Sequence, residues 1–138
     1  MSNKFPTEAL NPNGKIFGIA RSVDGRIAID RPNLPKDVDF VITSNGQLVL
    51  GQKHTTLANN ADVLAAGQMK LSGKGDIRLI DNLSGHYRPT VAEGLRVPEL
   101  LNEMGFKTNG AYLKLYEFTL DADGFVTNST LNINRQLK

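Results

Sequence analysis

At 138 residues with no cysteine and no tryptophan, the chain is long enough for one domain with a self-sufficient hydrophobic core. The lack of thiols excludes a disulfide scaffold, a zinc-thiolate or iron–sulfur centre and a cysteine nucleophile. Sixteen Lys and Arg against fourteen Asp and Glu leave a net charge of +2, which permits a phosphate-bearing partner without demanding one.

No apolar run nears the roughly 18 residues of a membrane span, and Met1, Ser2, Asn3 and Lys4 form no apolar leader; a soluble monomer without membrane contact is expected. Turn punctuation is dense. Asn13-Gly14, Asp24-Gly25, Asn45-Gly46, Asn109-Gly110 and Asp123-Gly124 supply the positive φ angles of tight hairpins. Residues 15–20 and 26–29 flank the second of these turns, and residues 40–43 and 47–50 flank the third, so each pair is predicted to form an antiparallel hairpin. Pro32 and Pro35 mark the stretch between them as a connection. A third hairpin is predicted from residues 63–71 and 76–80, turned by Ser72-Gly73-Lys74-Gly75, and a fourth from 111–120 and 125–127. The glycine pair at 73 and 75 lacks phosphate-loop spacing and is read as turn chemistry.

One stretch reads as helical. Thr90 followed by Glu93 is a capping box, Val91, Leu95 and Met104 are spaced for one buried face, and Gly105 closes the C-terminus. Pro98 interrupts the stretch, which predicts a kink or two short helices, the second starting at Pro98. The expected fold is therefore α+β: an antiparallel β-sheet built from hairpins, with one short proline-interrupted helical segment, in a single domain over 1–138. Residues 1–12 and the polar tail 128–138 are expected to fray.

Two histidines occur, His54 and His86, each in a short polar cluster where a predicted strand ends. The first cluster is Lys53-His54-Thr55-Thr56; the second is Ser84-Gly85-His86-Tyr87-Arg88-Pro89-Thr90. Loops beyond strand ends are where rigid sheets display catalytic groups. Two imidazoles with nearby cations suit metal-independent RNA cleavage, because an imidazole titrates near neutrality and can serve as base or as acid. In this reading His54 and His86 are base and acid in unassigned order, Lys53 and Arg88 neutralise the phosphorane, and Tyr87 completes the catalytic set. Ser84, Thr55, Thr90 and Lys70 would bind substrate. Lys70, Lys74 and Arg78 would extend the cationic patch beside Lys53 and Arg88. No His-x-His or His-x-x-x-His spacing is present, so no metal and no cofactor are expected. The competing structural account makes the second cluster a loop leading into the helix, with Pro89 and Thr90 setting the helix start and Tyr87 packing on the core; it leaves His86 and Arg88 unexplained.

Tyr112, Tyr116 and Phe118 alternate along one side of the last strong strand, with Leu113 and Leu115 on the other and Glu117 opposite Tyr116. Such a stripe usually packs in a core; exposed, it would stack on bases or on nicotinamide.

The succession of Lys53-His54 after a hairpin, Ala65-Ala66-Gly67 in a strand and the run Ile80-Asp81-Asn82-Leu83-Ser84-Gly85-His86-Tyr87-Arg88-Pro89-Thr90 resembles a module at the C-termini of bacterial polymorphic toxins of the contact-dependent inhibition or Rhs type. A similar Ser-Gly-His-Tyr-x-Pro segment occurs in plant calmodulin-binding IQ-motif proteins and fungal relatives, but their IQ motif is absent here and calmodulin binding does not carry over. The similarity covers residues 40–127. It implies a small effector domain displayed by a larger carrier protein, delivered from the producing bacterium into the target-cell cytoplasm and neutralised by a cognate immunity protein.

Toxin modules of this size include nucleases, ADP-ribosyltransferases and deaminases, so the resemblance leaves the chemistry open. The residues favour a ribonuclease acting on RNA such as tRNA. The alternatives are an ADP-ribosyltransferase taking NAD as substrate, with His54, Tyr87 and Glu117 in the required order, and a non-catalytic binding or immunity module.

Overall fold

The computed structural model describes residues 15–30, 33–52, 61–83, 89–123 and 126–138. Among the described residues nine strands and two short helices form an α+β fold: β1 (Lys15–Ile19), β2 (Arg21–Val23), β3 (Arg26–Ala28), β4 (Asp37–Thr43), β5 (Leu48–Gln52), β6 (Val63–Leu71), β7 (Ile77–Asp81), α1 (Val91–Leu95), α2 (Val97–Glu103), β8 (Tyr112–Leu120) and β9 (Val126–Gln136). Seven strands make one sheet in the order β1-β5-β4-β6-β7-β8-β9, and β2 and β3 form a separate ribbon.

Three of the four predicted hairpins form as expected: β4 with β5, β6 with β7, and β8 with β9. The first differs. Asp24 and Gly25, both at positive φ, turn only the short β2–β3 ribbon, while β1 pairs with β5 across the sheet. Turn chemistry fixes the residues on either side of a turn but not how far the ladder runs. A register shift between Ile16 and Gly18 and the break at Ala20 let the chain leave the main sheet.

The expectation of a purely antiparallel sheet is also corrected, because β7 and β8 are parallel. Parallel neighbours need a long return connection, and here it is the helical segment. Thr90 caps α1 in a reciprocal capping box with Glu93, and Pro98 lies in the first turn of α2. The predicted interruption is thus a clean break into two helices. Leu95, expected on the buried face, is exposed, and Val97 and Leu101 are buried in its place; the break at Arg96 rotates the apolar face of the second helix. The tail expected to fray is instead most of β9: it pairs with β8 as far as Gln136, Ile133 and Leu137 pack on the core, and Leu137 exchanges backbone hydrogen bonds with Gly110 and Ala111.

The two faces of the sheet differ. Alternation along the strands sends Val38, Phe40, Ile42, Leu48, Leu50, Met69, Ile80, Leu113 and Leu115 to one side. There they form the main core with Ile27 of the ribbon, Val97 and Leu101 of α2, and Phe106. On the other side Val41, Val49, Val63 and Ala66 form a small separate cluster, and that face also carries Asp37, Asp39, Gln68, Lys70 and Asp81 beside Leu79 and the aromatic side of β8. No helix among the described residues is long and apolar enough to cross a membrane.

Candidate functional site

The polar face carries a cleft of about 420 Å³ lined by Asp37, Val38, Asp39, Gln52, Gln68, Met69, Lys70 and Asp81. Register explains how these residues meet. Asp39 pairs with Gly51 on β5 and with Gln68 on β6, and Asp81 stands one residue beyond the Met69–Ile80 pair, level with Gln68. Asp37 lies opposite Lys70, with Oδ1 to Nζ at 3.9 Å. Asp37, Asp39, Gln68, Lys70 and Asp81 therefore share one face of three adjacent strands.

Asp81 is the unusual member. It is only 7% exposed, and its Oδ1 accepts from the backbone N–H groups of Gln68 at 2.9 Å and Leu83 at 3.0 Å. Burial pushes its carboxyl up from the ordinary 3.8 to about 6; the charge of Asp39 adds to the rise, and the two N–H donors and Lys70 oppose it. A close approach of backbones builds this corner. A Cβ at Gly67 would run into the carbonyl oxygen of Asp81 and press on the Phe40 ring, so glycine lets β6 lie against the end of β7.

Asn82 follows and is fully buried. Its Nδ2 donates to the carbonyl oxygens of Pro89 at 3.0 Å and Tyr116 at 2.8 Å, and its Oδ1 accepts from the Tyr116 N–H at 2.8 Å. One side chain thus ties the two flanks of the 84–88 segment together and fastens both to β8. On the far flank Gly94 of α1 packs so closely on Leu115 that a Cβ there would force the leucine side chain to shift.

Of the residues singled out from the sequence, Lys53, His54, Thr55, Ser84, His86, Tyr87 and Arg88 lie outside the described residues. What precedes them is described. Gln52 ends β5 immediately before Lys53, and Asp81 ends β7 shortly before Ser84; both line the cleft. Three antiparallel steps separate β5 from β7, so the two strands run in opposite directions, with axes three strand spacings or roughly 14 Å apart. The strands that precede the two histidine segments thus bring their last residues to one cleft from opposite directions.

Thr90 uses its hydroxyl oxygen to accept the Glu93 N–H at 3.0 Å, the capping role also expected of it. Lys70 was expected in an open cationic patch, yet it stands among carboxylates. Lys74 and Arg78 are exposed on the β6–β7 hairpin. Glu117 is exposed on the face of β8 that carries Leu113 and Leu115, opposite to the cleft, and its Oε2 accepts from Asn132 Nδ2 at 3.4 Å. The aromatic stripe divides as its alternation predicts: Leu113 and Leu115 are fully buried, Tyr112 is 48% exposed, and Tyr116 and Phe118 are half-buried.

Sequence reasoning passed over Asp37, Asp39, Gln52, Gln68, Asp81 and Asn82. A signal existed in the alternation of Asp37 and Asp39 with Val38 and Phe40, and of Gln68 and Lys70 with Met69 and Leu71, but only the strand order makes these positions neighbours. No group of His, Asp and Glu arranged to hold a metal ion occurs among the described residues. No protein-family model, no curated protein and no solved structure matches the chain.

Proposed function

We propose that the chain is the effector domain of a bacterial polymorphic toxin and that it cleaves RNA, tRNA among its targets, without a metal ion or cofactor. One observation carries the reading: the residues from which both histidine segments spring, Gln52 and Asp81, line one cleft on the polar face of the sheet. The resemblance of the Ser84–Thr90 run to toxin modules supports it from the sequence side, and Asn82 supports it by fastening the base of that run to β8.

In the reaction one imidazole takes the proton from a ribose 2′-hydroxyl as its oxygen attacks the adjacent phosphorus. The other imidazole gives a proton to the departing 5′-oxygen, leaving a 2′,3′-cyclic phosphate and a 5′-hydroxyl end. Lys53 and Arg88 balance charge on the non-bridging oxygens, and Tyr87, Ser84 and Thr55 hold the strand. The domain is carried by a larger protein into the target-cell cytoplasm and is held in check in the producer by an immunity protein.

The test is expression of the chain and of His54→Ala and His86→Ala, followed by incubation of purified protein with total tRNA in excess chelator. Growth arrest and cyclic-phosphate ends are expected, each substitution lowering cleavage roughly 10²- to 10⁴-fold. Intact RNA with ADP-ribose attached to protein or RNA would replace this reading with the transferase. Unimpaired growth with intact RNA would leave a binding module.

A further inference from the structure

We infer that two copies of the chain associate through β9, edge strand against edge strand in antiparallel order, in place of the monomer expected from the sequence. The association is independent of the ribonuclease reading. β9 closes one end of the seven-stranded sheet, with β8 as its one strand neighbour among the described residues. At eleven residues it is the longest strand described, and it offers about 36 Å of edge. From Thr127 to Gln136 every residue but Ile133 is exposed.

Sheet edges are ordinarily guarded by proline, by charged side chains or by being short. β1, the edge at the other end, has five residues and a register shift between Ile16 and Gly18. β9 has no proline and one charged residue, Arg135, within Val126–Gln136. Register shifts between Leu115 and Tyr116 and between Thr119 and Leu120 bend it, but residues 128–131 and 133–136 each stay in step with β8. Midway along stands Leu131, 45% exposed on the side of the sheet that carries Tyr116.

Charge names the occupant of this edge. The turn that leads into β9 carries Asp121 and Asp123, and the far end carries Arg135 and Lys138, all four exposed. The strand therefore runs from an acidic end to a basic one, and the edge that complements it is the same edge reversed. About a two-fold axis near Thr130 and Leu131, the acidic end of each copy meets the basic end of the other, and the contact is made twice. Parallel pairing would set like charges side by side. The axis also brings the two Leu131 side chains together, taking from water an apolar group that a single copy leaves half exposed.

The experiment reads oligomeric state and geometry on the full chain. Sedimentation equilibrium of wild type should show monomer and dimer in an equilibrium that shifts to monomer as salt is raised. Arg135→Glu and Asp123→Lys should each weaken the dimer at least about tenfold, and an equimolar mixture of the two should restore it, since every end then faces its opposite. Leu131→Lys, a charge at the centre of the edge, should leave monomer. Positions 123, 131 and 135 are exposed, so the urea midpoint under monomeric conditions should not move. Because the chain has no cysteine, single-cysteine variants report which edge pairs: Thr130→Cys or Leu131→Cys should form an intermolecular disulfide under mild oxidation, and Ile16→Cys on β1 should not. A chain that stays monomeric at the highest soluble concentration, a dimer indifferent to the three β9 variants, a mixture that fails to restore association, or cross-linking through Ile16→Cys instead overturns the inference.

Discussion

The two faces of one sheet put the same backbone to different uses. On the aliphatic face Phe40, Leu50, Met69, Leu113 and Leu115 are sealed under α2 and the β2–β3 ribbon, and apolar burial there supplies the stability. On the opposite face four small residues, Val41, Val49, Val63 and Ala66, form the only other buried apolar cluster among the described residues, and next to them a buried carboxylate, Asp81, sits where burial opposes its charge. One face spends its residues on holding the fold. The other keeps a carboxylate at the expense of stability at neutral pH.

Four substitutions sharpen or break this contrast, read as urea midpoints at unchanged slope. Phe40→Ala removes a fully buried ring from the main core and should cost about 3–5 kcal/mol. Asn82→Ala leaves two carbonyls and one N–H without their partner and should cost about 2–4 kcal/mol. It should also loosen the flanks of the 84–88 segment, seen as faster hydrogen exchange at Tyr116.

Asp81→Asn should go the other way. The folded chain holds the Asp81 proton more tightly, near 6 against 3.8 in the unfolded chain, so the stability this group contributes is fully present below pH 3.8 and is lost as pH rises through 6. The loss amounts to about 3 kcal/mol. The amide variant does not titrate there, so it should be more stable than wild type at pH 7 by about 1–3 kcal/mol and lose that advantage at pH 4. A variant destabilised at pH 7 would mean that the carboxylate is structural, and the contrast between the faces would fail. Lys70→Ala breaks only an exposed pair with Asp37 and should change stability by under about 1 kcal/mol.

Much of the local structure was legible. Asn45-Gly46, the Ser72–Gly75 turn and the Thr90/Glu93 box each act over a few residues, and Pro98 divides the helical stretch where its missing N–H requires. The candidate site was legible only in part. His54 and His86 stand out by residue type, but Asp81 and Asn82 read as ordinary polar residues at a strand end, because a carboxylate's burial and an amide's partners depend on Gln68, Pro89 and Tyr116. Tyr116 lies 34 positions from Asn82.

The sequence by itself determined the hairpins, the capped and broken helix and the alternation of the strands, since turn chemistry, capping and side-chain period are properties of neighbouring residues. Tertiary structure alone decided that β1 leaves its expected partner for β5, that β7 and β8 run parallel, that the polar tail becomes an edge strand, and that Asp39, Gln68 and Asp81 share a cleft. Each of these depends on which strands lie side by side, and that order is set by the burial of a common apolar face rather than by any local signal.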